Sequence, residues 1–135
     1  MLAILHPGAM GSSVVACLVG CGHEVGWLRT GRSHVSAERA AEAGLTPFDD
    51  LSELLANAEV VFSICPPHSA LEVAQQLTGF RGIVVDANAI SPETSAVIGR
   101  TVTAGGARTS MAASLARPRP RREPPGSIWP GTTAR

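Results

Sequence analysis

The chain has 135 residues, of which 44% are apolar, enough to bury the core of one domain but too few for two domains of ordinary size. Eleven basic and eleven acidic residues give a formal net charge of zero, so the total charge predicts neither nucleic acid nor an anionic membrane as a partner. Every basic residue is Arg, which excludes any mechanism that needs a lysine amine from this chain.

The charges are distributed unevenly along the chain. Residues 1–107 carry five Arg and ten acidic residues, a net charge of −5, whereas residues 108–135 carry six Arg and one acidic residue, a net charge of +5. The chain therefore divides into an acidic segment and a short basic one.

The three cysteines are an odd number and lie at no metal-ligand spacing, so no metal site is predicted. Cys17, Cys21 and Cys65 each lie in an apolar run, which favours small buried side chains. No apolar run approaches the length that spans a membrane, and no basic segment with a long apolar core stands at the start. We therefore expect no membrane association and a reducing, cytoplasmic location.

Short apolar runs alternate with segments in which apolar residues have helical spacing. Strands are predicted at residues 2–5, 24–28, near 45, 60–65 and 83–87. Helices are predicted at residues 10–19, 35–43, from 51, at 68–77 and from 92. This alternation predicts an α/β fold, a doubly wound parallel sheet of the Rossmann type that is truncated after about five strands.

The alternation stops at Arg108. Residues 117–125 are rich in Arg and Pro, follow neither period, and contain too little apolar surface to bury. We therefore predict a cofactor-binding domain over residues 1–107 and a disordered Arg/Pro-rich tail over residues 108–135.

The turn between the first strand and the first helix is rich in small residues. A dinucleotide fold needs glycine here for a sharp turn, for close approach of the pyrophosphate, and for packing of the helix on the sheet. Gly8 and Gly11 occupy the second and third glycine positions, whereas His6 occupies the first. Backbone amides of the segment Gly8, Ala9, Met10 and Gly11, aided by the helix dipole, would favour a pyrophosphate. The alternative is an ordinary strand-to-helix turn.

The end of the second strand bears on the type of cofactor. Proteins that prefer NAD usually present Asp or Glu there to the ribose hydroxyls. This chain instead has Arg29, Thr30 and Arg32, and guanidinium groups bind a 2′-phosphate through paired hydrogen bonds. The segment favours NADP over NAD, and the alternative is a solvated loop with two surface arginines.

Several of these segments resemble the NADP-binding domain of the 3-hydroxyacid dehydrogenase and 6-phosphogluconate dehydrogenase superfamily. The resemblance covers residues 1 to about 107. Its marks are the turn at residues 8–11, Leu28-Arg29-Thr30 where the family often has Asn-Arg-Thr, Pro66-Pro67 after the fourth strand, and residues 85–92, Val-Asp-Ala-Asn-Ala-Ile-Ser-Pro.

The resemblance implies the cofactor domain of an NADP-dependent oxidoreductase. It adds Cys65, Pro66 and Asn88 to the predicted cofactor-binding residues. Asn88 and Ala89 stand where the family has hydroxyl residues near the nicotinamide and substrate. Asn88 could also bind substrate or serve as a simple turn residue.

No catalytic residue is predicted. The family uses a lysine from a helical region beyond the cofactor domain as general acid or base, and this chain contains no lysine. The four histidines have no paired Asp or Ser at a recognisable spacing, and we interpret them as structural or surface residues, with His6 near the phosphates. They are His6, His23, His34 and His68.

Two hypotheses describe the tail. Read in the next reading frame, residues 109–117 can encode Val-Asp-Gly-Gly-Ile-Ile-Gly-Pro, which is similar to the strand and Gly-Gly loop that follow in the family, so the tail would be a frameshift product. The other hypothesis is an arginine-rich arm that binds nucleic acid or another polyanion. It is less favoured because Trp129 is the only aromatic residue among those arginines.

Two functions remain open from the sequence. The first is the NADP(H)-binding part of a truncated oxidoreductase. The second is a non-catalytic NADP-sensing or scaffold module that a partner chain completes with a substrate domain. A homo-oligomer is compatible with either function.

Overall fold

The computed structural model describes residues 1–111, which form six strands and five α-helices. The strands are β1 (Leu2–Ile4), β2 (Val25–Leu28), β3 (Thr46–Phe48), β4 (Val60–Ser63), β5 (Ile83–Asp86) and β6 (Arg108–Met111). The helices are α1 (Ala9–Gly20), α2 (His34–Glu42), α3 (Leu51–Asn57), α4 (Ala70–Gln76) and α5 (Pro92–Ala104). A 3-10 turn over Pro67–Ser69 precedes α4.

The strands form one parallel sheet in the order β3-β2-β1-β4-β5-β6. Ile4 of β1 is paired with Trp27 of β2 on one side and with Phe62 of β4 on the other. The order of strands therefore reverses between β1 and β4, as in a Rossmann fold. The predicted α/β class and doubly wound parallel sheet are confirmed.

Two apolar clusters cover the two faces of the sheet. Val15 of α1 and Ala40 of α2 pack on Ile4 and Trp27, on one face of β1 and β2. The other cluster joins α3, α4 and α5 to the sheet through buried side chains such as Leu54, Val73, Val84, Ile98 and Val102. This burial on both faces explains why the strands are short apolar runs rather than alternating ones.

The sheet extends one strand further than the sequence indicated. β6 pairs with β5 from Arg108 beside Ile83 to Met111 beside Asp86. An edge strand needs little apolar content, and Arg-Thr-Ser-Met lacks the apolar run from which the other strands were predicted. The expectation of disorder from Arg108 onward is therefore wrong for residues 108–111. Residues 112–135, with most of the predicted tail, lie outside the described residues.

The cysteines are less buried than their apolar surroundings suggested. Cys17 and Cys21 are exposed and Cys65 is half-buried, and all three are free thiols. Helix α1 buries its Gly11 and Val15 face, and Cys17 lies off that face. The prediction of buried cysteines was wrong because an almost uniformly apolar helix hides which of its sides faces the sheet.

Within residues 1–111 no helix is both long and apolar enough to span a bilayer.

Candidate cofactor site

The predicted site residues lie in the loops that follow the carboxyl ends of β1, β2, β4 and β5, or in the first turn of α1. In open parallel sheets, ligands bind at this edge, in the crevice where the strand order reverses. Here the crevice lies between the turn after β1 and the segment after β4. The topology therefore brings the predicted residues to one edge of the sheet.

The two glycines of the turn after β1 have different surroundings. A Cβ atom on Gly11 would lie 2.9 Å from the His6 carbonyl oxygen and 2.9 Å from Ile4 Cδ1, because α1 packs directly on β1. A Cβ atom on Gly8 would meet no atom within 4 Å. Gly11 is thus required by packing, whereas Gly8 borders open space from which a ligand can approach the backbone.

Helix α1 begins at this turn without a side-chain cap, and Gly8 is its N-cap. The first amide bonded within the helix is that of Ser12, which donates to the Gly8 carbonyl oxygen at 2.8 Å. The preceding amides of Ala9, Met10 and Gly11 have no partner within the helix. By contrast, side chains cap α2, α3 and α5, namely Ser33, Asp50 and Ser91. The start of α1 is therefore a position that favours an anion.

Arg29 and Thr30 both bind Asp49, which follows β3. Arg29 donates from Nε to Asp49 Oδ1 at 2.7 Å and from Nη2 to Oδ2 at 2.5 Å. Thr30 Oγ1 donates to the Asp49 carbonyl oxygen at 2.5 Å. The hydrogen bond lowers the pKa of Asp49 and raises that of Arg29, so both side chains are charged at neutral pH. Sequence reasoning missed Asp49, since only the fold places the ends of β2 and β3 side by side.

Arg32 differs from Arg29 because it forms no ion pair within residues 1–111. Its Nε atom is buried without a hydrogen-bond partner there, and burial lowers the pKa of its guanidinium. Half-buried His6 has its pKa lowered to about 4, first by burial and then by the charge of Arg32. The Arg32 charge therefore acts on the turn between β1 and α1.

Asn88 connects the ends of β4 and β5. Its side chain is 6% exposed, accepts a hydrogen bond from the Cys65 amide at 2.7 Å, and donates to Ser63 Oγ at 2.9 Å. Its own amide donates to Asp86 Oδ1 at 3.0 Å. Asn88 thus joins two strand ends, which fits the turn-residue interpretation better than contact with a substrate.

The structure also places Cys65 and Pro66 at the crevice. Burial is the main cause that raises the pKa of the Cys65 thiol, which is therefore protonated at neutral pH. Pro66 is exposed and is the N-cap of the 3-10 turn, and its carbonyl oxygen accepts from the Ser69 amide at 2.9 Å. Sequence reasoning missed buried Ser63, whose signal is a hydroxyl at the end of an apolar strand.

A surface cavity of about 850 Å³ lies at the other end of the strands, away from the predicted site. It is lined by residues at the amino ends of β4, β5 and β6, including Phe80, Arg81 and Arg108. None of the predicted site residues lines it. Neither this cavity nor any other part of residues 1–111 contains a group of three metal-ligating side chains.

Residues 1–90 match the protein family described as NADP oxidoreductase, coenzyme F420-dependent. The chain belongs to this family. The match spans β1 to β5 and therefore every predicted cofactor-binding residue.

Solved structures similar to this member of the NADP oxidoreductase family include two dehydrogenase-like proteins. A conserved protein of unknown function, reported to resemble 3-hydroxyacid dehydrogenases, has a TM-score of 0.72 and 28% identity, over 82% of this chain and 41% of that one. The 3-hydroxyisobutyrate dehydrogenase of Mycobacterium tuberculosis has a TM-score of 0.69 and 26% identity, over 82% and 38%. An imine reductase from Myxococcus stipitatus, with a TM-score of 0.66 and 16% identity over 82% and 39%, shares the fold.

A curated relative is an uncharacterized 28.5 kDa protein of Methanothermus fervidus, encoded in the 7S RNA 5′ region. It is 37% identical over 65 residues, which are 47% of this chain and 26% of that protein. The chain thus spans about a quarter of this relative and about 40% of the similar solved structures. The resemblance to 3-hydroxyacid dehydrogenases is confirmed, and the described unit corresponds to a pyridine-nucleotide-binding domain of such oxidoreductases.

Proposed function

We propose that this chain binds NADP(H), as the cofactor domain of an NADP-dependent oxidoreductase of the 3-hydroxyacid and 6-phosphogluconate dehydrogenase type. The observation that supports NADP most directly concerns the Nε atom of the Arg32 guanidinium. This atom is withdrawn from solvent without a partner in residues 1–111, although a buried donor normally has one. A phosphate would supply both the hydrogen bond and the opposite charge.

The surroundings of Arg32 fit an anionic ligand. Its charge acts on the turn that contains His6 and Gly8, where the amides at the start of α1 lack helical partners. In a Rossmann fold the pyrophosphate binds at this helix terminus, and the adenosine ribose lies at the end of β2. We therefore propose that Ala9, Met10 and Gly11 bind the pyrophosphate through their amides, beside the open backbone at Gly8, and that Arg32 binds the 2′-phosphate.

The nicotinamide half of the cofactor would lie across the crevice, beside Cys65 and Pro66. When bound, the cofactor supplies hydride transfer at its nicotinamide ring. Asn88 supports this part of the site indirectly, because it holds the Cys65 amide. Its role would be to keep the end of β4 in place.

A second candidate is a cofactor-binding module without catalysis of its own. The chain contains no lysine for the general acid-base step of the related dehydrogenases, and it spans about 40% of the similar solved structures. A partner chain, or another copy in a homo-oligomer, would then supply the substrate domain. Dehydrogenase activity that appears only when a second chain is added would favour this candidate.

We also propose a reducing location such as the cytoplasm. Cys17 and Cys21 are exposed and not joined in a disulfide. Exposed thiols persist as free thiols in reducing compartments.

Titration of the purified protein with NADPH and with NADH, followed by the fluorescence of the bound nicotinamide, tests the proposed function. We expect saturable binding of both, with NADPH tighter. The Arg32→Met variant should lose about tenfold in NADPH affinity, since one charged hydrogen-bonded contact is removed, and little in NADH affinity.

Arg100→Met is the matched control, because Arg100 is exposed on α5 and its removal changes the net charge equally. It should leave both affinities unchanged. Equal affinity of the unmodified protein for the two cofactors would overturn the NADP preference. The absence of saturable binding by either would overturn the proposed function.

A further inference from the structure

We propose that Asp49 is a specificity-determining residue of this site, because its carboxylate competes with the 2′-phosphate of NADP for the guanidinium of Arg29. This inference rests on the proposed function. It goes beyond it by assigning a role to a residue outside the segments that suggested the site.

The pair has the geometry of a two-point contact. Arg29 Nε and Nη2 bind the two oxygens of one carboxylate, at 2.7 and 2.5 Å. A phosphate group offers the same arrangement of oxygens to a guanidinium fork, so carboxylate and phosphate are alternative partners for the same donors. Asp49 occupies the face of Arg29 that a 2′-phosphate would use.

The backbone beneath this pair is held at three points. The Arg29 amide donates to the Phe48 carbonyl oxygen at 2.8 Å, and Thr30 Oγ1 donates to the Asp49 carbonyl oxygen at 2.5 Å. The side chain of Asp50, the next residue, caps α3 by accepting from the Glu53 amide at 2.9 Å. These contacts hold the backbone at Asp49 in place, so the change of partner comes from rotation of the Arg29 or Asp49 side chain.

Both side chains of the pair are accessible. Arg29 is 54% and Asp49 65% exposed, so a ligand at the end of β2 can reach either. Because solvent screens an exposed ion pair, a phosphate of higher charge can replace the carboxylate. When the ligand has no 2′-phosphate, as in NAD, the Arg29–Asp49 ion pair stays intact, and the Asp49 carboxylate can accept hydrogen bonds from the ribose hydroxyls. Asp49 thus reduces the advantage of NADP over NAD.

The test is the Asp49→Asn variant, which keeps the shape of the side chain and removes its charge. We expect NADPH to bind about fivefold more tightly, because the phosphate no longer has to displace a carboxylate from an exposed bidentate ion pair. NADH affinity should stay within about twofold. The ratio of NADPH to NADH affinity should therefore rise.

A double-mutant cycle with Arg29→Met distinguishes competition for Arg29 from simple repulsion between Asp49 and the phosphate. If the two anions compete, Asp49→Asn has no effect on NADPH binding when Arg29 is absent. Glu42→Gln controls for the change in net charge, because Glu42 is exposed at the far end of α2, and it should alter neither affinity.

Three results would overturn the inference. In the first, NADPH binds saturably but Asp49→Asn leaves its affinity unchanged. In the second, the gain persists in the Arg29→Met background. Both leave the proposed function intact. In the third, the unmodified chain binds no NADPH, which removes the proposed function and this inference together. Thermal unfolding of each variant verifies that it is folded.

Discussion

Gly8 and Gly11 lie three residues apart in one turn, yet replacing them should have different consequences. In Gly11→Ala the new methyl group would lie 2.9 Å from the His6 carbonyl oxygen, so α1 must move away from β1. We expect a loss of about 1–3 kcal/mol in the free energy of unfolding, measured by urea denaturation, as for other overpacked sites.

Gly8→Ala is the matched variant and should change the free energy of unfolding by less than about 1 kcal/mol. Its methyl group meets nothing in the free protein, but it occupies the space through which the pyrophosphate approaches. NADPH affinity should therefore fall while stability is kept. A Gly8→Ala variant that binds NADPH as well as the unmodified protein would contradict the placement of the pyrophosphate at this turn.

His6 makes stability depend on pH. Its pKa is about 4 in the folded chain against 6.5 in the unfolded one, because burial and the Arg32 charge disfavour the imidazolium. Between these two pH values His6 binds more protons in the unfolded state than in the folded state. The stability that neutral His6 contributes is therefore fully present above pH 6.5 and is lost as the pH falls toward 4.

Urea denaturation at about pH 7.5 and about pH 5 measures this dependence. The unmodified protein should lose more stability on acidification than the His6→Asn variant. Carboxylates with a lowered pKa, such as Asp49, also lose stabilisation at low pH, but they do so equally in both proteins. The effect of His6 is therefore the difference between the two proteins in the stability lost on acidification. Identical pH dependence in the two proteins would show that His6 is not buried as described.

At the scale of elements, Asn88 links two strands whose paired residues lie 23 positions apart in the sequence. Asn88→Ala would leave the Cys65 amide and the Ser63 hydroxyl without their partner at a buried site. We expect a loss of about 2–4 kcal/mol in the free energy of unfolding, which urea denaturation would measure.

Asn57→Ala is the control for Asn88→Ala, because Asn57 is exposed at the end of α3 and, within residues 1–111, its side chain bonds only to the Glu53 carbonyl oxygen of its own helix. It should cost about 0.5 kcal/mol or less. If Asn88→Ala costs no more than this control, Asn88 does not join the strand ends, and a role in ligand contact becomes the better interpretation.

The elements also show where sequence patterns succeed and where they fail. Ser33, Asp50 and Ser91 begin helices for a local reason, since each side chain accepts an amide three residues later, and the pattern is visible in the sequence. Edge strand β6 has no such mark. Its residues are polar, and the ladder that holds them comes from β5, which lies more than 20 residues earlier.

At the scale of the whole molecule, β6 adds a third strand to the half of the sheet that contains β4 and β5. The order β3-β2-β1-β4-β5-β6 comprises both halves of a Rossmann sheet, with three strands on each side of the reversal. The described residues therefore contain six strands in the Rossmann order, one more than the sequence predicted. This chain matches 38–41% of the length of the similar solved structures, so about 60% of their length lies outside the match.

The sequence by itself determined the fold class and the position of the glycine turn between β1 and α1. Apolar spacing, caps and glycine punctuation act within a few residues, so they can be interpreted without knowing the fold. The tertiary structure decided which partner each polar side chain has. It paired Arg29 with Asp49, left Arg32 Nε without a hydrogen-bond partner in residues 1–111, and used Asn88 to join two strands. Such contacts depend on which strand ends are neighbours in the sheet, and that order is a property of the assembled fold.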